Sequence, residues 1–231
     1  MKVNSFFKGI AKSVAVLALV AGVSLNAAEE GKDYVKLEKP IANAQNTVIK
    51  VFSYDCPFCY KYDKAVTKKV MEKLPEMKFV PYHLATKGVF GKYGSELLAV
   101  MIAKDEAAGT NLLDDNSKFK KAKFALYKAY HDKKERWGAD ASKPENVDAF
   151  LKTALDEVGI SKADYEAALN GDRVKELLNL WGMDNNSDSY MVAKIQGVPA
   201  FVVDGKYLIL TKSVKGIDQM ANTIKELHEM K

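Results

Sequence analysis

Cys56 and Cys59 are the only cysteines among the 231 residues, and only Pro57 and Phe58 separate them. The reactive form of cysteine is the thiolate, so what matters is whether the chain lowers a thiol pKa. Before the pair stands a short apolar run, Val48-Ile49-Lys50-Val51-Phe52. After it comes a helical pattern with Val66, Val70 and Leu74 on one face and Lys64, Lys68, Lys69 and Lys73 elsewhere. A strand feeding a C-x-x-C at a helix start puts the first sulfur beside unpaired backbone N–H groups and the positive end of the helix macrodipole. Cys56 is thus the expected attacking thiolate near neutral pH. Cys59, one turn inside, is shielded and close enough to close a disulfide. Pro57 suits the first turn, where its missing N–H has no intrahelical partner to lose.

Two blander readings compete. Half a zinc site needs two more Cys or His ligands, and His83, His131 and His228 are widely separated and in no paired spacing. An inert structural disulfide across four residues constrains the unfolded chain little. Redox chemistry is the better account. The three histidines read as structural or surface residues, and Trp137 and Trp181 as core.

Residues 1–28 read as a secretory signal peptide: Lys2, Lys8 and Lys12, an apolar stretch from Val14 to Val23, then small residues to Ala27-Ala28. The apolar run is short for a membrane span, although an uncleaved anchor is the competing reading. No cysteine lies near the cleavage zone, which excludes a lipoprotein. Export is expected, and in an oxidising compartment a C-x-x-C can persist as a disulfide and pass it on. Removing three lysines and no acids takes the net charge from +5 to +2. The remaining surface is mixed in sign, and Arg136 and Arg173 are the only arginines. Neither feature suggests a nucleic-acid partner. About 200 mature residues can bury one sizeable core.

The elements that position the pair follow in order. Tyr34-Val35-Lys36-Leu37 reads as an edge strand, Thr47 to Ser53 as a buried strand, the helix from Cys56 as running to about Leu74, and Met77 to Leu84 as a strand kept to an edge or bulge by Pro81. From Gly88 to about Asn185 no strand pattern occurs, and a loop of that length is implausible. Apolar stripes predict five helices there. The clearest starts at Pro144, carries Val147, Phe150, Leu151, Ala154, Leu155 and Val158, and ends at Gly159; Ser161 with Asp164 resembles a capping box for the next. These stripes are core faces, and no cofactor is assigned to them. A helix over Ser187 to Ile195 leads to Gly197-Val198-Pro199-Ala200, then a hairpin turning at Asp204-Gly205. A last helix carries Val214, Ile217, Ala221, Ile224 and Leu227. The expected architecture is α/β.

This order resembles the thioredoxin fold with an inserted all-helical subdomain, and the insertion is similar to that of the DsbA family of periplasmic thiol–disulfide oxidoreductases. The likeness rests on Phe52-Ser53-Tyr54-Asp55-Cys56-Pro57-Phe58-Cys59-Tyr60 and on Gly197-Val198-Pro199-Ala200-Phe201-Val202-Val203-Asp204-Gly205-Lys206-Tyr207. It implies a thioredoxin-like domain over 29–87 and 186–231 and a helical domain over 88–185. It also implies a nucleophilic Cys56, a resolving Cys59 and a cis-proline at Pro199, with the Val198 backbone free to add a strand to an extended substrate. C-P-F-C resembles the DsbL branch, with a dedicated DsbB- or DsbI-like membrane oxidase and an arylsulfate sulfotransferase as client. Reduced exported proteins are the general client class.

Three departures from the family pattern stand out. Phe58 replaces a common histidine and donates nothing. Asp55, where the family has an aromatic residue, should oppose a thiolate but can cap the helix. Lys50 stands where a buried glutamate is usual, with Pro81 at its partner's position. A lysine in an apolar strand is costly unless paired. It either points at the redox pair and stabilises the Cys56 thiolate, or lies along apolar surface with its amine in water. The implied activity is a dithiol oxidase. An exported reductase or isomerase of the same fold, or a binding protein or chaperone without turnover, are the rivals.

Overall fold

Thr47–Phe52 (β2) is buried along its whole length, as a β-branched and aromatic run between turn residues requires, and the sheet is built outward from it. The computed structural model of the chain describes residues 27–230, so the expected signal peptide lies almost wholly outside the described residues. The other strands are Tyr34–Lys36 (β1), Lys78–His83 (β3), Ala200–Val203 (β4) and Tyr207–Ile209 (β5). The sheet order is β1-β5-β4-β2-β3. β2 runs parallel to β3 and antiparallel to β4. The β4–β5 hairpin turns through Asp204 and Gly205, at φ 52° and 68°. The Lys206 N–H donates to the Val203 carbonyl at 2.9 Å; positive φ at both central positions is what a type I′ turn demands.

β3 is an edge strand, and Lys50 stands opposite Pro81 in the register. Lys78 and Leu84 donate their N–H groups to Asn46 and Phe52. The even-numbered residues therefore face β2, and Pro81 turns its missing donor to the outer rim.

The helix that follows the cysteines is broken, contrary to the single helix read as far as Leu74. Pro57–Ala65 (α1) ends at Val66, where φ is −121°, and Thr67–Met71 (α2) resumes. Two adjacent β-branched residues crowd the backbone there. The Thr67 hydroxyl also donates back to the Tyr62 carbonyl at 3.2 Å while accepting from the Lys50 amine at 3.1 Å.

Between β3 and β4 the described residues hold six α-helices and no strand: Gly91–Ala107 (α3), Lys118–Tyr127 (α4), Pro144–Val158 (α5), Lys162–Leu169 (α6), Asp172–Trp181 (α7) and Asp188–Gln196 (α8). α3 is buried all round from Leu97 to Ile102, so it is the centre of this layer. α5 stops at Gly159 in the left-handed region, and the Ser161 hydroxyl accepts the Asp164 N–H at 3.0 Å at the head of α6. The chain closes with Ile217–Glu229 (α9); Val214, grouped with its stripe in the sequence, precedes it. No described helix is long and apolar enough to cross a membrane.

The start of α4 is fastened by a buried carboxylate. Asp105 on α3 accepts from the Ser117 hydroxyl at 2.7 Å and from the Lys118 and Phe119 N–H groups at 2.9 and 2.8 Å. Replacing it strands three donors. Asp105→Ala is expected to lower stability by about 3 kcal/mol in urea unfolding, far more than an exposed acid such as Glu157→Ala.

Candidate active site

Cys56 is the N-cap of α1, with φ −89° and ψ 111°, and the Cys59 N–H donates to its sulfur at 3.0 Å. A helix start offers such donors to whatever caps it; here the cap is sulfur rather than Ser or Asp oxygen. The two sulfurs are joined in a disulfide, with Cα atoms 5.2 Å apart. The Val198–Pro199 peptide is cis, and the Val198 carbonyl oxygen lies 3.2 Å from the Cys56 sulfur. Two stretches over 130 residues apart in sequence thus meet at one sulfur. A groove of about 650 Å³ runs past it, lined by Cys56, Phe58, Leu84, Lys87, Tyr190 and Val198. Cys59 is fully buried behind it, whereas Phe58 is 61% exposed.

Asp55 does not cap the helix. Its carboxylate accepts from the Ser53 hydroxyl at 2.8 Å and pairs with the Lys87 amine at 3.4 Å. Part of the repulsion it would exert on a thiolate is offset by that cation. Lys50 does not send its amine to water. Its side chain is 1% exposed and its amine donates to Asp63 at 2.5 Å and to Thr67. Burial drives the Lys50 amine down to about 8 even though Asp63 favours its charge. Burial also opposes the charge on Asp63, but Lys123 and Lys50 outweigh it and hold the carboxyl down at about 2.

Asp63 was not singled out in the sequence, nor were its partners Lys123 and Tyr127, whereas Lys50 was. α4 and the π-helical turn that continues it, Lys128–Asp132, present Lys123, Tyr127 and His131 at four-residue spacing to α1. Lys123 reaches Asp63 at 3.1 Å, and the Tyr127 hydroxyl donates to the same carboxylate at 3.0 Å. His131 stacks on Tyr60 and donates from Nε2 to the Tyr54 carbonyl at 3.1 Å, two residues before Cys56. The Tyr60 hydroxyl donates to Asp132 at 2.8 Å. Lys123 and His131 look like solvent-side residues in a stripe built on Phe119, Ala122, Leu126 and Tyr130. The i, i+4, i+8 run Lys-Tyr-His was the one signal available.

The DSBA-like thioredoxin domain matches residues 47–227, which takes in both cysteines, the cis-proline and every helix from α1 to α8. The chain belongs to this family. It is 57% identical over 226 residues to the thiol:disulfide interchange protein DsbL of Escherichia coli O6:H1, covering 97% of this chain and 96% of that protein. Among solved structures it matches reduced DsbL at 60% identity and TM-score 0.80, over 87% of this chain and 98% of the other. It also matches DsbL of Salmonella enterica serovar Typhimurium at 58% identity and TM-score 0.82, over 89% and 99%. This DSBA-like chain is a thiol:disulfide oxidoreductase with a C-x-x-C redox pair.

Behind the redox loop of this family member lies a neutral histidine. His83, at the end of β3, is fully buried. Its Nε2 accepts the Tyr54 N–H at 3.3 Å, which leaves Nδ1 protonated to donate to the Ser95 hydroxyl at 2.8 Å. Tyr54 in turn is wedged among Tyr130, Trp137 and Phe150. Gly88, at φ +81°, passes so close that a Cβ there would sit 2.7 Å from the Tyr54 hydroxyl oxygen. Burial pushes the His83 imidazolium down to about 3 from 6.5. A histidine that resists protonation when folded binds its proton more readily when unfolded. Its stabilisation is therefore complete above the unfolded value and lost as pH falls from 6.5 towards 3. Urea unfolding of the oxidised protein should weaken by about 3 kcal/mol between pH 7 and pH 4 from this group, and His83→Gln should flatten that profile while lowering stability at pH 7.

Proposed function

We propose that the chain is an exported dithiol oxidase that donates the Cys56–Cys59 disulfide to reduced client proteins. The observation that carries this reading is the Cys56 sulfur, capping α1 and accepting the Cys59 N–H at the wall of an open groove. Donors aimed at a sulfur stabilise its thiolate, and a stable thiolate is both a good leaving group and a reason for the reduced form to be preferred.

The cycle balances without a cofactor. A client thiolate attacks the Cys56 sulfur and breaks the Cys56–Cys59 bond. The electron pair departs on Cys59, which takes a proton. The client's second thiolate attacks its partner sulfur in the mixed disulfide and expels Cys56 as thiolate. The client leaves oxidised by two electrons and the pair is left reduced. Reoxidation is assigned to a quinone-linked membrane partner of the DsbB or DsbI kind. An arylsulfate sulfotransferase is the candidate dedicated client, on the likeness to DsbL. Pro57 and Phe58 shape the motif, while Val198 and the cis Pro199 offer backbone to an extended substrate beside Cys56. Lys50 and Asp55 tune the thiolate through charge. Residues 29–87 and 186–231 form the redox domain in this reading, and 88–185 the helical one. Residues 1–28 are the export signal to the periplasm.

Cys56→Ser should abolish oxidation of reduced ribonuclease, and Cys59→Ala should accumulate mixed disulfides that gel electrophoresis detects without reductant. An active Cys56→Ser protein would remove the assignment. The redox equilibrium of the pair against glutathione separates the oxidase from the reductase or isomerase: an oxidase is reduced at far lower glutathione ratios. A protein that assists refolding without turnover in either assay would be the binding protein or chaperone instead.

A further inference from the structure

Lys50, Asp63 and Lys123 set two cations against one anion in a place almost closed to water, with side chains 1%, 2% and 3% exposed. The single carboxylate is fully committed: Oδ1 to Lys50, Oδ2 to Lys123 and to the Tyr127 hydroxyl. The remaining walls are aromatic. Phe52 and Phe201 lie 5.9 and 5.7 Å from the Lys50 amine, and Phe119 lies 4.8 Å from that of Lys123. Rings soften a surplus charge without cancelling it. Of the other ionisable groups, Lys120 adds repulsion at Lys123, and within the cluster Asp55 acts on Tyr127. Pro81 and Phe201, the sheet neighbours of Lys50, bring none. Tyr127 stays protonated, since burial and Asp63 raise it well above its usual range.

The cluster therefore lacks one negative charge. Asp63 follows Cys56 by two turns of α1, about 10 Å along the axis, so the negative charge that forms on Cys56 on reduction acts on the cluster through the buried, low-dielectric interior beside the same helix. We propose that Lys50, held by Asp63 and crowded by Lys123, is a redox-linked proton site: it holds its proton loosely while Cys56 and Cys59 are joined and firmly once they are reduced. The proposal deepens the oxidase reading and rests on the Cys56 thiolate assigned there. Lys50 is a positioning residue in this scheme; it carries charge and touches no substrate.

The balance is as follows. Two electrons break the disulfide. One sulfur keeps its pair as the Cys56 thiolate, and Cys59 takes one proton. In the pH range where Lys50 has lost its proton in the disulfide form, beginning near 8 by burial, a second proton is taken up by its amine. Below that range the proton is already present and only one is consumed.

The test is the reduction potential of the purified protein, measured against glutathione from about pH 6.5 to 9.5 with the couple's own pH dependence subtracted. The expected slope corresponds to one proton per two electrons at the acid end and doubles above about pH 8. Lys50→Met should keep the one-proton slope throughout. Lys123→Met, which retains the Lys50–Asp63 pair but removes the cation that crowds it, should move the doubling to higher pH. Circular dichroism checks that each variant folds. A wild-type slope that never steepens, an identical doubling in Lys50→Met, or a step that stays put in Lys123→Met would each overturn the proposal. The absolute potential at pH 7 judges the oxidase reading and the slope judges the cluster, so either can fail alone.

Discussion

A sulfur atom serves as the cap of a helix, and most of the molecule is arranged to keep it there. Caps are usually oxygen because backbone N–H groups at a helix start need a strong acceptor. Placing Cys56 in that role makes the helix more comfortable when the sulfur is charged. The macrodipole alone is worth at most about 2 kcal/mol, or roughly one and a half pKa units. The rest of any shift has to come from the Cys59 N–H and from nearby cations. That is why the loop around Cys56 must be rigid: donors stabilise charge only if they need not move to meet it. Tyr54, held through its N–H by His83 and through its carbonyl by His131, supplies that rigidity from both sides.

Buried charge is the second theme, and it divides the chain differently from its helices and strands. Lys50 comes from the central strand, Asp63 from the helix that bears the cysteines, and Lys123 and Tyr127 from the helical insertion. Breaking a buried pair by removing one partner typically costs 3–5 kcal/mol. The insertion is therefore bound to the redox helix by contacts that demand a fixed geometry as well as by apolar packing. Its π-helical turn matters here. It carries His131 to the Tyr54 carbonyl and Asp132 to the Tyr60 hydroxyl.

Much of this was legible in the residues. The positions of the strands along the chain, the buried run of β2, the hairpin, the helical character of the insertion and the cysteine pair at a helix start all follow from local sequence patterns. The way the strands assemble came only through the resemblance. What was not legible depended on the third dimension. Lys50 was visibly out of place in an apolar strand, yet its partner is 13 residues on, on a helix face that reads as solvent-exposed. Lys123 looked like one of many surface lysines because nothing in sequence marks the one lysine of α4 that turns inward. The break at Val66 escaped for the same reason: the hydroxyl of Thr67 is drawn back by a lysine from another element. Asp55 read as a cap by its position, but the sulfur next to it took that place and Lys87 took the carboxylate.

The rims of the sheet carry a consequence of their own. One rim is β1, only three residues long, and the other is β3, whose outward side is interrupted where Pro81 has no hydrogen to give. Both are poor templates for a foreign strand. A catalyst of disulfide exchange meets polypeptides with their backbones still bare, and a long, regular rim would invite them to stick and stay. Blunting both margins leaves a passing chain little regular backbone to pair with along either rim.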